Sequence, residues 1–183
     1  MRWLSISVLV ILSGCSIFMR SIEQPKAAVR GVSVASAGFT GVTGELDFEG
    51  TVNLARRLHP GMKHLLVLAN RRLAVESAAY ARLERLSREK FSDQFQIEYW
   101  EDPKFSEVMG RAGSFPPDTV VFDMAFLADD AGKPLGVLSS TRRASEALGL
   151  PIYSCWETLL GNGIVGGLIS GGFQQGQAAG ELA

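Results

Sequence analysis

Cysteine and histidine are scarce in this chain of 183 residues, which contains two of each. Cys15 and Cys155 are far apart and neither belongs to a Cys-x-x-Cys pair, so the sequence provides no disulfide framework. His59 ends a helical pattern and His64 leads into an apolar run, and neither has other metal-ligating side chains beside it in sequence. We therefore predict no metal site and no cofactor.

A surplus of charge of one sign is also lacking. The chain has 18 Lys and Arg against 19 Asp and Glu, and its net charge is −1 at pH 7. A field this weak favours neither nucleic acid nor an anionic membrane surface as a partner. Hydrophobic residues make up 46% and charged residues 20% of the chain, which is the composition of a globular domain rather than of a disordered segment.

A Walker loop, a nucleophile elbow and a dinucleotide-binding fingerprint after the first strand pattern are missing as well. No Gly-x-Gly-x-x-Gly follows the first strong strand pattern and no Walker loop occurs, so nucleotide binding gains no support. A Gly-x-Ser-x-Gly elbow is absent, so a hydrolase is the least favoured class and we predict that the protein is not an enzyme. Asp129 and Asp130 precede Ala-Gly-Lys-Pro, which is typical of a solvated turn.

Near its N-terminus the chain contains an apolar run at residues 3–12, broken only by Ser5 and Ser7. A bilayer-spanning helix needs roughly 20 residues, so this run is too short to span, but it has the length of a signal-peptide core. We predict a signal peptide over residues 1–15. The alternative is an uncleaved anchor that extends through Met19.

The run ends in the four residues Leu12-Ser13-Gly14-Cys15, which resemble the bacterial lipobox. The resemblance implies that the mature protein begins at Cys15 and that the Cys15 thiol carries a lipid. A lipid on Cys15 would hold the protein at a membrane outside the cytoplasm, in the periplasm or on the cell surface.

Apolar periodicity divides the rest of the chain into alternating strands and helices. Predicted strands cover residues 65–69, 95–100, 119–124 and 152–155, with a second apolar run, 164–169, paired to the last. Predicted helices cover residues 48–58 with Asp47 as N-cap, 74–90, 105–111 and 139–148, and a Gln/Gly/Ala-rich helix ends the chain. The alternation predicts an α/β fold with a Rossmann-like parallel sheet flanked by helices on both faces.

Four stretches of the chain together carry a resemblance to a known family. They are VTG at residues 42–44 with DFEGT at 47–51, LARRLHPG at 54–61, PPDTVV at 116–121, and PIY at 151–153 followed by GNGIVGG at 161–167 and QG at 175–176. In this order and spacing they resemble the uncharacterised substrate-binding proteins of ABC transporters with a type I periplasmic-binding fold. Members of that family also serve as sensor domains of histidine kinases and diguanylate cyclases.

The resemblance implies a domain organisation and a mechanism. Residues 38–183 would form one lobe of the periplasmic-binding fold, mainly the second, and residues 16–37 would be a linker or a remnant of the first lobe. Family members carry a complete first lobe before the Val42-Thr43-Gly44 hinge, and this chain does not. Closure of two lobes about the hinge would hold a solute, and an ABC permease or a sensor kinase would be the protein partner.

Ligands of open α/β sheets bind beyond the carboxyl ends of the strands. The residues that follow three of the predicted strands are Asn70 and Arg71, then Asp123, Met124 and Phe126, and then Trp156 and Glu157. We predict a ligand site formed by Asn70, Arg71, Met124, Phe126, Trp156 and Glu157.

The chemistry of these side chains suits an amino-acid-like solute. Arg71 can hold a carboxylate in bidentate fashion, Glu157 can hold an amine, and Trp156 can stack on a flat or cationic group. The alternatives are that Trp156 and Phe126 pack in the core or under another lobe, and that Arg71 and Glu157 form a structural ion pair. Cys155, in an apolar strand, is predicted to be a buried small hydrophobe rather than a nucleophile.

Three functions follow in order of preference. The first is a non-enzymatic, extracytoplasmic protein that binds a small-molecule solute for import and is attached to the membrane by lipid. The second is a ligand-sensing or partner-binding fragment of a membrane signalling protein. The third is an enzyme built on the same sheet.

Overall fold

The computed structural model describes residues 4–10, 18–24, 46–69, 74–124, 128–169 and 171–182. Strands β1 (Leu4–Val10) and β2 (Phe18–Gln24) pair antiparallel in a two-stranded sheet of their own. β1 falls within the predicted signal peptide and β2 within the predicted linker. Cys15 and the Val42-Thr43-Gly44 hinge lie outside the described residues, so lipidation and hinge closure stay predictions.

None of the helices in the described part of the chain is long and apolar enough to cross a membrane.

The main sheet has four strands, all parallel, in the order β4-β3-β5-β6. These strands are β3 (His64–Ala69), β4 (Gln96–Glu101), β5 (Thr119–Asp123) and β6 (Ile152–Tyr153). The helices are α1 (Phe48–Leu58), α2 (Ala74–Lys90), α3 (Phe105–Gly110), α4 (Val137–Leu148) and α5 (Gly172–Leu182), and a 3₁₀ turn covers Glu157–Leu159. The predicted α/β fold with a parallel sheet is confirmed.

Helices cover both faces of this sheet, and each face has its own core. The first core joins α1 and α2 to side chains of β3 and β5 such as Val67 and Phe122. The second joins α3 and α4 to alternate residues of the same strands, such as Leu66 and Val121. All five residues of β5 are buried. A strand covered on both faces must be apolar at successive positions, which is why the apolar runs predicted these strands well.

The helix ends follow from local sequence. Asp47 caps α1, because its carboxylate accepts the Gly50 backbone N–H at 2.7 Å. At the other end of α1, the His59 N–H donates to the Ala55 carbonyl at 2.8 Å. Helix α4 stops at Gly149, whose φ of 62° is a left-handed conformation that favours glycine.

The prediction of a second strand at residues 164–169 is wrong. In the described part of this segment the pairing with β6 is a single bridge between Tyr153 and Gly166, supported by the bonds Val165 N–H to Ile152 O (2.7 Å) and Ser154 N–H to Gly166 O (3.1 Å). Gly166 has φ of 151°, which takes the backbone out of strand geometry. The segment therefore lies beside β6 as an irregular stretch.

Candidate functional site

The strand order creates a topological switch point between β3 and β5. From β3 the chain runs through α2 to β4 on one side, and then through α3 to β5 on the other side of β3. A crevice forms at the carboxyl edge of a sheet where successive connections diverge in this way, and ligands of open α/β sheets bind in such crevices. The carboxyl ends of β3 and β5 are joined there by the Met124 N–H, which donates to the Leu68 carbonyl at 2.8 Å.

Three of the predicted site residues follow these two strands but lie outside the described residues. They are Asn70 and Arg71, directly after β3, and Phe126, three residues after the last residue of β5. Leu68 and Asp123 are register partners near the ends of β3 and β5. The two strands that precede these three residues therefore end at neighbouring positions on the carboxyl edge.

Met124 is placed in the core. Its side chain is 3% exposed and belongs to the core on the α1 and α2 face of the sheet. A side chain with this little exposed surface contributes packing, and its role as a ligand contact stays an untested prediction.

Trp156 is half-buried and packs against the core on the α3 and α4 face. Its backbone N–H lies 3.4 Å from the Ser154 hydroxyl, and Trp156 is the N-cap of the 3₁₀ turn. The structure therefore gives part of the indole a packing role, and the exposed remainder stays available for stacking.

Glu157 is exposed at the start of the 3₁₀ turn. Its Oε2 accepts the backbone N–H of Gly172, the first residue of α5, at 3.0 Å. The carboxylate thus connects the end of β6 to the start of α5, and a carboxylate is favourable at a helix N-terminus. The predicted alternative of an ion pair with Arg71 involves a residue outside the described part of the chain.

A buried polar network connects β5, α4 and β6 at the same edge. Asp123 is 4% exposed, and its Oδ2 accepts the hydroxyl of Thr141 on α4 at 3.0 Å. The Asp123 main-chain carbonyl accepts the Ser154 hydroxyl at 2.8 Å. The sequence indicates Asp123 at a strand end, but it does not indicate the two hydroxyl partners, Thr141 and Ser154, which come from separate segments of the chain.

A second buried contact joins α1 to the segment after β6. The Thr51 hydroxyl lies 3.3 Å from the Cys155 sulfur and accepts the Leu168 backbone N–H at 2.9 Å. Burial raises the pKa of the Cys155 thiol to about 12, with a smaller contribution in the same direction from the nearby Asp47 carboxylate. The thiol is therefore protonated at neutral pH and lacks the thiolate that a nucleophile requires.

The two histidines take part in structural contacts. His64, at the start of β3, is hydrogen-bonded through Nδ1 to Asp118 at 2.8 Å and through Nε2 to Gln96 at 3.1 Å. His59 Nε2 lies 2.9 Å from the Tyr153 hydroxyl. Among the described residues no group of three or more His, Cys, Asp and Glu side chains is placed to hold a metal ion.

The described part of this edge contains both buried and exposed polar groups. The hydroxyls of Ser154 and Thr51 are fully buried and already hydrogen-bonded. The Glu157 carboxylate and part of the Trp156 ring are accessible to solvent there, and groups of these types can hold and stack a solute.

A scan against protein-family models gives no match to this chain, and no curated protein matches it significantly.

Proposed function

We propose that this chain is a non-enzymatic, extracytoplasmic solute-binding lobe of an ABC-type import system, attached to the membrane by a lipid on Cys15. The observation that carries the proposal is the strand order β4-β3-β5-β6, which brings the ends of β3 and β5 together at a switch point. The sequence motifs at residues 42–51, 54–61, 116–121 and 151–176 support the same function by resemblance.

The solute we propose is amino-acid-like. Arg71 and Asn70, after β3, would hold its carboxylate, and Glu157, after β6, would hold its amine. The exposed part of Trp156 would cover its side chain or backbone. The buried Asp123 network would fix the edge, because its hydrogen bonds link β5 to α4 and β6.

The mechanism would be lobe closure. A solute that contacts this edge and a first lobe at the same time stabilises the closed arrangement by the difference between its contacts in the two states. The Val42-Thr43-Gly44 stretch would be the hinge.

A solute panel tests the proposal. We expect at least one L-amino acid or related zwitterion to raise the melting temperature of the full chain, with titration calorimetry giving its affinity. Arg71→Ala should weaken that affinity by about tenfold or more, since it removes charge-assisted hydrogen bonds to the carboxylate.

Arg88→Ala is the matched control, because Arg88 is an exposed residue of α2 that pairs with Glu84 on the same helix. It should leave solute affinity unchanged. A solute that binds equally well to Arg71→Ala and Arg88→Ala would place the site elsewhere, and a panel without any binder would count against a solute-binding role.

A second function, partner binding within a membrane signalling protein, is favoured by the exposure of α5. Phe173 on this helix is 77% exposed, which is a large apolar surface to leave in water. The neighbouring genes distinguish the two functions. A permease and an ATPase beside this gene would favour import, whereas a kinase or diguanylate cyclase module in the same reading frame would favour sensing.

A further inference from the structure

A pocket lies where the strand β4 passes into the helix α3. β4 ends at Glu101, and Asp102 turns the chain with a φ of 49°, a left-handed conformation that Asp adopts more readily than most residues. α3 begins at Phe105, so this short turn brings it beside the end of β4. The pocket there has a volume of about 270 Å³ and is lined by Trp100, Glu101, Pro103, Glu107 and Arg111. Small-molecule sites span roughly 300–1,000 Å³, so this pocket suits a ligand of few non-hydrogen atoms.

The aromatic wall of the pocket is held in place by its neighbours. Trp100 is half-buried and packs against the core on the α3 and α4 face. Its indole N–H donates to Glu98 Oε1 at 2.6 Å, and its ring centroid lies 5.6 Å from that of Phe115. The Arg111 guanidinium lies 4.8 Å from the Trp100 ring centroid and pairs with Glu98 at 3.1 Å. The ring is therefore positioned before a ligand arrives, which reduces the entropy lost on binding.

Negative charge is in excess at the pocket. Glu107 Oε2 accepts the Lys104 backbone N–H at 2.9 Å, and Glu101 Oε1 accepts the Tyr80 hydroxyl at 2.7 Å. Both donors are neutral groups, so these hydrogen bonds orient the carboxylates and leave their charge in place. Among the described residues that line the pocket Arg111 alone is cationic, and it is already ion-paired. The pocket therefore attracts a further positive group.

We propose that this pocket binds a small organic amine in its protonated form. The ammonium group donates to the carboxylates of Glu101 and Glu107, and the methylene groups lie against Trp100 and Pro103. An ammonium group has three N–H donors and a carboxylate has about four acceptor sites, so each carboxylate keeps its internal donor when the amine binds.

The site is separate from the proposed solute site, because its residues come from β4, α3 and the turn between them. Both carboxylates are exposed, so the charge contacts are weak and the dissociation constant is on the order of a millimolar.

An NMR titration of the full chain with n-butylamine at neutral pH tests the proposal. We expect the Trp100 indole N–H signal, identified by its absence in Trp100→Phe, to shift and to saturate at millimolar amine, together with backbone amides of residues 100–111. 1-Butanol has the same hydrocarbon chain without the charge and should cause no saturating shift. Sodium chloride at the same ionic strength controls for screening.

Two charge-neutral substitutions separate electrostatics from structure. Glu107→Gln and Glu101→Gln each keep an acceptor oxygen for the neutral donor, and Gln serves as well as Glu at the Glu107 position of a capping box. Each substitution should weaken amine binding about threefold, because it removes one charged acceptor. Glu146→Gln, an exposed substitution on α4, is the matched control and should bind the amine as the wild type does.

Two results would overturn the amine site. One is a Trp100 shift that grows linearly with amine or that 1-butanol reproduces, since binding would then be non-specific. The other is an unchanged affinity in both Glu107→Gln and Glu101→Gln, since the ammonium group would then lie elsewhere.

Discussion

Thr51, Asp123 and Ser154 are polar residues with 0%, 4% and 0% of their surface exposed. A buried polar group without a partner costs about 1–3 kcal/mol, so each of these residues must be satisfied within the protein. Four of their hydrogen bonds join separate parts of the chain: Thr51 joins α1 to residues 155 and 168, Asp123 joins β5 to α4, and Ser154 joins the end of β6 to β5. These contacts fix the carboxyl edge more specifically than apolar packing alone would.

At the same scale, His59 makes stability depend on pH. Burial lowers the pKa of His59 from 6.5, because it disfavours the imidazolium. Between 6.5 and the lower folded value the unfolded chain binds more protons than the folded protein, so acidification favours unfolding. The contribution of His59 to stability is fully present well above pH 6.5 and is lost as the pH falls from 6.5 through the lower pKa of the folded protein.

We expect His59→Gln to reduce this loss. The measurement is urea unfolding followed by circular dichroism at several pH values on either side of 6.5, for the wild type and the variant. The difference between the two pH profiles isolates His59 from other titrating groups. An identical pH dependence in both proteins would show that His59 titrates alike in the folded and unfolded states.

The sequence predicts hydrogen-bond partners of side chains less well than it predicts helices and strands. Asp123 was recognisable at a strand end, but nothing in the sequence pairs it with Thr141 or Ser154. The partners meet only after the sheet is assembled, so no local pattern encodes them. The preference for a buried, unreactive Cys155 was predictable from its apolar neighbours, and its 1% exposure agrees with that expectation.

At the scale of elements, local sequence patterns predicted the positions of segments that form regular helices and strands. The Asp47 cap, the end of the helical pattern at His59 and the apolar run of β3 predicted helix and strand positions that agree with the structure within about two residues. The segment after β6 was mispredicted because an apolar run is ambiguous when glycines interrupt it. Contact with Ser154 and Thr51, rather than strand propensity, determines its path.

That contact makes a prediction for glycine substitutions. A Cβ at Gly167 would lie 1.9 Å from the Ser154 carbonyl oxygen, so Gly167→Ala must displace one of two backbone segments. We expect a loss of about 1–3 kcal/mol, as for other overpacked sites. Gly176→Ala, in open space on α5, should be neutral or stabilise the helix by up to about 1 kcal/mol.

Thermal or urea unfolding of the two variants measures the contrast. Equal stability of Gly167→Ala and Gly176→Ala would mean that residues 164–169 can move away from β6 without loss, and the edge would then be less fixed than its hydrogen bonds indicate.

At the scale of the whole molecule, the predicted attachment to a membrane rests on Cys15 alone. We expect Cys15→Ser to move the protein from the membrane fraction to the soluble fraction and to abolish labelling with radioactive palmitate, because the Cys15 thiol is the predicted site of the lipid. Cys155→Ser is the matched control, since its thiol is buried and protonated. Membrane recovery of Cys15→Ser at the wild-type level would favour an uncleaved anchor in place of the lipid.

The strand order also has a consequence for how the chain is made. β3 lies between β4 and β5, but β5 is the later of its two neighbours to be synthesised. If the chain emerges from its N-terminus during synthesis or export, β3 can pair with β4 before β5 is present at its other edge. That edge belongs to a strand whose last five residues are all buried in the finished protein. Folding in that order includes an interval in which an apolar strand of the sheet is open to pairing with other chains, and the interval ends when Thr119–Asp123 emerges and inserts.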